Sequence, residues 1–340
     1  MQEGKKKEIK FDDLEKVFEN VTKKPAARGG VEEKKEEKKK KGATCILPDA
    51  KRAYQMNIMV NKFRKYTWDQ VRDAILNLDK KIVNNELATT LLPFAPQPEE
   101  IQVCADWDGD KTELDGASNF MVAIHNIPRF VFRLRAFVFK DEFEAKVEAA
   151  VGDIGTFYKG CKTVKQNTNF QDFLSYTLQV ANFLNAGTNR GNAQGFKMKS
   201  ILAFNGVKSA DGKTSLYGYI IEKINSENPE CLNWVKEMKI INDLAKMNVD
   251  ELTRDVDMIK SQINTIKVHL DQSEKSNPKD EGFINTFKEF YEKSKPVVDD
   301  ADKEAKECKE MYFECCKYYG EDEEGIKKQT SEEYWGLWKQ

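Results

Sequence analysis

Only two histidines, His125 and His269, occur in 340 residues, and neither stands beside a pair of cysteines. The seven cysteines are Cys45, Cys104, Cys161, Cys231, Cys308, Cys315 and Cys316, an odd set without a Cys-x-x-Cys spacing. A zinc site needs several such ligands brought together, so neither a metal nor a cofactor is expected. Unpatterned cysteines read as reduced thiols of a cytosolic protein rather than as a disulfide framework. The nine prolines form no run. Also missing is any stretch of about 18 uncharged apolar residues, the length that would span a bilayer. The start, Met-Gln-Glu-Gly-Lys-Lys-Lys, carries no apolar segment of signal-peptide length, so a cytoplasmic location without membrane contact is expected. Charge of one sign is absent too: 55 basic and 57 acidic residues leave a net charge of -2, which gives no overall field to attract nucleic acid.

What the chain does have is charge and helical pattern. Charged residues make up 33% and apolar ones 40%, a balance suited to much solvated helix surface. A chain this long exceeds one compact core, so several subdomains or one elongated body are expected. No strand pattern is evident, and the predicted class is all-α.

Phe11, Leu14, Val17 and Phe18 lie at helical spacing, giving a short amphipathic helix within residues 1–22. Residues 23–43 hold Pro25, Gly29, Gly30 and a Glu/Lys run, a composition that cannot bury apolar surface and reads as a flexible charged linker. From 44 to about 245, helical periodicities are expected to break at Pro93, Pro96, Pro98, Pro128, Gly160 and a glycine–asparagine loop. The most apolar stretch, Val122 to Phe139, is interrupted by Arg129, Arg133 and Arg135 and reads as buried helix core.

Val249, Leu252, Val256, Ile259, Ile263, Ile266 and Leu270 alternate steps of three and four, the a/d seam of a coiled coil. After a polar break from Ser273 to Gly282 the apolar series resumes through Phe283, Phe287, Phe290, Val297, Ala301, Ala305, Cys308, Tyr312 and Cys315. Two long antiparallel helices are predicted, the second kinked near Pro296.

No catalytic site is evident. Gly206 to Thr214 ends in Gly-Lys-Thr, but five residues separate its glycines where a phosphate loop needs four. Acidic pairs such as Asp108 with Asp110, or Glu321 with Asp322, have no histidine or nucleophile arranged with them, and most carboxylates in such a chain are simply solvated. The chain is not expected to be an enzyme.

Residues 182–199 are rich in glycine and asparagine. Gly187, Gly191 and Gly195 are permissive at positive φ, while Asn182, Asn185, Asn189 and Asn192 can bond nearby backbone groups. Apolar flanks, Phe173, Leu174, Leu178, Phe183 and Leu184 before it and Phe196, Met198, Ile201 and Leu202 after it, suggest helices anchoring both ends. On chemistry alone, a structural loop and a recognition loop both remain open.

The run from Asn182 to Phe196 resembles the signature of the formin homology 2 domain, roughly G-N-x-x-N-x-G-T-x-R-G-x-A-x-G-F, with Ala181 in place of the first glycine. Other landmarks follow in family order: Leu47 to Ala53 with Asn57-Ile58, Leu91-Leu92-Pro93 before Glu99-Glu100-Ile101, Ile127-Pro128, Asp211 to Leu216, and Tyr318 to Asp322. The resemblance spans residues 44–340. It implies a core built of knob, three-helix coiled coil and post, preceded by a linker and an N-terminal lasso. Residues 1–22 would be a lasso remnant.

The resemblance further implies actin as partner: two such bodies join head to tail around the filament barbed end, promoting nucleation and processive elongation. Ile58 matches the family's knob isoleucine, an exposed anchor for actin. Lys213 matches a basic actin-facing position, with Lys199 and Lys208 as competitors. Asn182, Asn185, Gly187, Thr188, Arg190, Gly191, Ala193, Gly195 and Phe196 match the post surface that receives the partner copy's lasso. Family lassos carry two tryptophans; here Trp68, Trp107, Trp234, Trp335 and Trp338 all follow the linker. A monomeric or weakly associating chain is therefore expected, from a parent that is a homodimer. Profilin is recruited in the family through a proline-rich segment, which this sequence does not contain. The alternative is a helical scaffold with the same fold that binds a non-actin partner such as microtubules; an exposed Ile58 beside basic residues favours actin.

Overall fold

A computed structural model describes residues 43–339 apart from 277 and 279. The helix expected within residues 1–22 and nearly all of the linker 23–43 lie outside the described residues. From Thr44 onward the chain clusters as one compact unit. Its helices are α1 (Ala50–Val60), α2 (Trp68–Asn77), α3 (Asn85–Leu91), α4 (Pro98–Ala105), α5 (Gly116–Ile124), α6 (Phe130–Gln166), α7 (Thr168–Leu184), α8 (Leu216–Glu227), α9 (Val249–Lys275), α10 (Glu281–Tyr318), α11 (Glu323–Lys328) and α12 (Ser331–Trp338). One-turn helices at Lys199–Leu202, Trp234–Glu237 and Ile241–Leu244 fill the connections. Among the described residues there is no strand, only the isolated bridges Thr44–Leu114 and Lys208–Ser215.

Two apolar cores form, and the three longest helices run through both. The first gathers α1 to α5 around Met56, Phe63, Ile75, Phe120 and Phe137; the second gathers Phe157, Phe173, Ile224, Tyr312, Tyr334 and Trp335. Ala150 and Val151 on α6 touch both. At about 1.5 Å per residue the 38 residues of α10 cover about 57 Å.

The a/d seam of α9 is buried at Val249, Val256, Ile259, Ile263, Ile266 and Leu270, with Leu252 half-buried. On α10 the sequence-level register needs correction at one point. Val297 is 44% exposed, and Val298 is the buried residue. The seam passes through Tyr291 and the buried Ser294 before Val298, keeping alternate steps of four and three to Cys315. A small polar residue at a core position concealed that register. Pro296 lies inside α10, which continues through it.

Gly160 is not a break either. Helix α6 runs through it, and a Cβ there would come within 2.6 Å of the Leu244 side chain. The glycine serves close approach of the second core's connecting segment to the helix.

Two arginines of the apolar stretch, Arg129 and Arg133, hold the turn between α9 and α10. Arg129, at φ 55°, precedes α6 and donates to the His269 carbonyl at 2.9 Å, Ser273 Oγ at 2.6 Å and Asp280 Oδ2 at 2.8 Å. Arg133, only 1% exposed, donates to Asp280 and to the Leu76 carbonyl on α2. Burial lowers the Arg133 pKa and Asp280 opposes that. Arg129 and Arg133, two of the charges that interrupt the apolar run, are thus a largely buried clamp joining α2, α6 and the coiled-coil turn, while Arg135 is exposed.

Candidate functional site

Helix α1 starts at Asp49, whose side chain accepts from the Lys51 and Arg52 amides and so satisfies two of the donors a helix start leaves open. Ala53, Met56, Met59 and Val60 face the core. Two polar side chains fix how the helix sits. Arg52 donates through Nε to Glu100 Oε1 at 2.7 Å and through its terminal nitrogens to the Pro93 and Ala95 carbonyls at 2.7 and 2.8 Å. Asn57 donates to Asp115 Oδ2 at 2.7 Å and accepts from the Ala117 amide at 2.8 Å, clasping α1 to the start of α5. Burial pushes the Asp115 carboxyl up, yet hydrogen bonds from Ser118 and Asn57 outweigh it and hold the pKa below the usual value.

With both flanks pinned, the residue between them points outward. Ile58 is 58% exposed, and Tyr54, one turn earlier, is 69% exposed. Lys51, three residues before Tyr54 on the same helix, is exposed as well. The sequence reading missed Tyr54; its signal was the i−4 relation to Ile58.

The glycine–asparagine loop follows α7 on the second core. Asn182 closes it by a reciprocal amide clasp: Nδ2 donates to the Ala193 carbonyl at 2.9 Å, and Oδ1 accepts from the Ala193 amide at 2.8 Å. Inside the clasp, the Asn185 carbonyl accepts from the Thr188 amide and hydroxyl, and the Gly191 amide donates to the Thr188 carbonyl. Of the three glycines only Gly187 is at positive φ, 78°; a Cβ on Gly191 would come within 2.6 Å of the Asn185 carbonyl, and around Gly195 space is open. Arg190 and Ala193 are exposed, while Phe196 is half-buried against Phe204.

The apolar flanks do not all anchor helices. Phe173 is buried, but Phe183 is 80% and Leu184 56% exposed. With Val207, Leu216 and Tyr219 they line an open groove of about 1000 Å³. A second groove of about 800 Å³, lined by Gly195 and Phe196 of the loop, lies between Leu174, Leu178 and Tyr318. The three candidate lysines are dispersed. Lys208 lines the first groove, Lys199 lines a separate cleft with Tyr217 and Trp338, and Lys213 sits in the exposed turn where its amide donates to Asp211.

Among the described residues no cluster of three or more His, Cys, Asp or Glu is placed to hold a metal ion. Cys161, Cys308, Cys315 and Cys316 are buried in the second core, and burial raises each thiol pKa, to about 12 for Cys308 and Cys316. The arrangement is one of exposed apolar anchors and grooves on a rigid helical frame, the chemistry of docking.

Comparison with known proteins gives this geometry a context. Residues 1–335 match the family model described as Formin Homology 2 Domain. Formin-H of Dictyostelium discoideum is 29% identical over 276 residues, covering 80% of this chain and 25% of that protein. Formin-like protein 14 of Arabidopsis thaliana is 28% identical over 326 residues, covering 93% of this chain and 25% of that protein. Protein diaphanous homolog 3 of Homo sapiens is 25% identical over 286 residues, covering 84% of this chain and 24% of its own length. The chain spans a quarter or less of the length of these relatives.

Proposed function

The chain belongs to the formin homology 2 family, and from that premise we propose that it binds actin at the filament barbed end, using Ile58 as its apolar anchor. The observation that carries the reading is the 58% exposure of Ile58 on a helix fixed by Arg52–Glu100 and Asn57–Asp115. A β-branched side chain is stiff at χ1 and loses little freedom when a partner covers it. Tyr54 adds aromatic area beside it, and Lys51 supplies positive charge toward an acidic surface. Exposure beside basic residues favours actin over the scaffold reading.

The loop from Asn182 to Phe196 is the proposed surface for the N-terminal segment of a second copy. Its support is the amide clasp with open apolar grooves beside it, which offers shape without the need to order a loop on binding. For the basic actin-facing position Lys213, in its exposed turn, remains the proposed residue, with Lys199 and Lys208 as competitors. A ring of two copies at a barbed end would support nucleation and processive elongation, and the place of action is the cytoplasmic actin cytoskeleton.

Single-filament imaging tests the reading. Labelled protein should reside at growing barbed ends, and Ile58→Asp should abolish that residence while leaving the helical spectrum unchanged. Barbed-end residence unaffected by Ile58→Asp would sink it.

A further inference from the structure

Just beyond α1, the 3-10 turn Asn61–Phe63, the segment to Tyr66 and the connection between α2 and α3 enclose a concave site of about 450 Å³. Lys62, Arg64, Lys65, Lys80 and Lys81 line it together with Tyr66, and no carboxylate does. Five cations drawn from two stretches of chain face one hollow.

Their existing partners sit at the rim. Lys62 pairs with the exposed Glu86 at 3.3 Å, and Lys80 pairs with Asp141 on α6. Arg64 uses Nε on Asn61 Oδ1 at 3.0 Å, which orients its guanidinium and leaves both terminal nitrogens as donors. Among the described residues, Lys65 and Lys81 have no carboxylate partner. The nearest acid in sequence to Lys81, Asp79, accepts from the Lys81 backbone amide rather than from its ammonium.

Gathering like charges in a hollow is unfavourable unless something negative enters it. We propose that this hollow binds a polyphosphate group of the inositol phosphate kind, free or as a lipid headgroup. The volume falls within the range of about 300 to 1,000 Å³ usual for small-ligand sites. Guanidinium matches phosphate oxygens with paired donors, and lysines add point charges. Concavity argues for a compact polyanion over a broad acidic protein surface, which would meet the rim and leave the floor unfilled.

Titration calorimetry with inositol hexakisphosphate on the full chain tests this, comparing wild type with Lys65→Ala/Lys81→Ala and with Lys303→Ala on α10. Saturable, salt-sensitive binding is expected, about tenfold weaker in the double variant, equivalent to about 1.4 kcal/mol, and unchanged in Lys303→Ala. Co-flotation with phosphatidylcholine vesicles doped with phosphatidylinositol bisphosphate separates the sources. Binding to both ligands assigns the lipid headgroup, and binding to the soluble one alone assigns the free polyphosphate. No binding, equal binding by the double variant, or equally tight binding of a poly-glutamate peptide would overturn the proposal.

Discussion

Arg52 and Glu100, 48 positions apart, form a side-chain ion pair in which Nε lies 2.7 Å from Oε1 and Glu100 is 1% exposed. The same carboxylate accepts from the Gln97 amide, so it caps α4 while holding α1. The exposed anchor Ile58 therefore sits on a helix whose position is set by α4 and the segment leading into it.

Removing one partner of such a pair leaves the other buried and uncompensated. Arg52→Ala is expected to cost about 3 kcal/mol of stability, read from urea denaturation, and Glu100→Gln less, because an amide keeps an acceptor for Arg52. An Arg52→Ala protein as stable as wild type would contradict the role given to the pair.

His269 stacks on Phe132 with ring centroids 3.6 Å apart, and burial followed by the nearby Arg129 guanidinium lowers its pKa from 6.5. A depressed folded pKa means that the unfolded chain takes up the proton first as pH falls. Stability is therefore fully present above about pH 6.5 and declines as pH drops toward the lower folded value. Denaturation midpoints across pH 7.5 to 5 should show this decline, and His269→Gln should flatten it.

Gly160→Ala inserts a methyl where Leu244 approaches to 2.6 Å. Overpacking outweighs the gain in helix propensity, and a net loss on the order of 1 kcal/mol is expected. Leu244→Ala in the same background should relieve it, a coupling measurable by a double-mutant cycle.

Asn182→Ala removes both bonds of the clasp. A loss of about 1 kcal/mol is expected, because the amide is partly solvated. Hydrogen exchange at the Ala193 amide should quicken selectively; unchanged exchange would mean that the loop is held by other contacts.

Much of this fold was legible because periodicity reports burial directly. The α9 seam from Val249 to Leu270 follows from steps of three and four alone. On α10 the rule falters where Ser294 occupies a core position, so that apolar character alone points to Val297 where Val298 is buried. Gly160 looked like a break because composition does not reveal that Leu244, 84 residues on, needs the space. The exposure of Phe183 and Leu184 was hidden for the same reason: apolar character says what favours burial, not whether a neighbour exists to bury it. At Ile58 only the tertiary contacts of Arg52 and Asn57 decide which side of α1 faces water. The buried clamp of Arg133 with Asp280 joins segments too distant for any local pattern to connect.

Seeded elongation of fluorescent actin with increasing protein tests the central claim most directly, comparing wild type with Ile58→Ala. Wild type is expected to change the barbed-end rate in a saturable way, and Ile58→Ala to bind about 2 kcal/mol more weakly, shifting the dose response roughly thirtyfold. Superimposable curves for the two proteins would contradict anchoring through Ile58, and no effect of wild type at any concentration would contradict barbed-end binding by this chain.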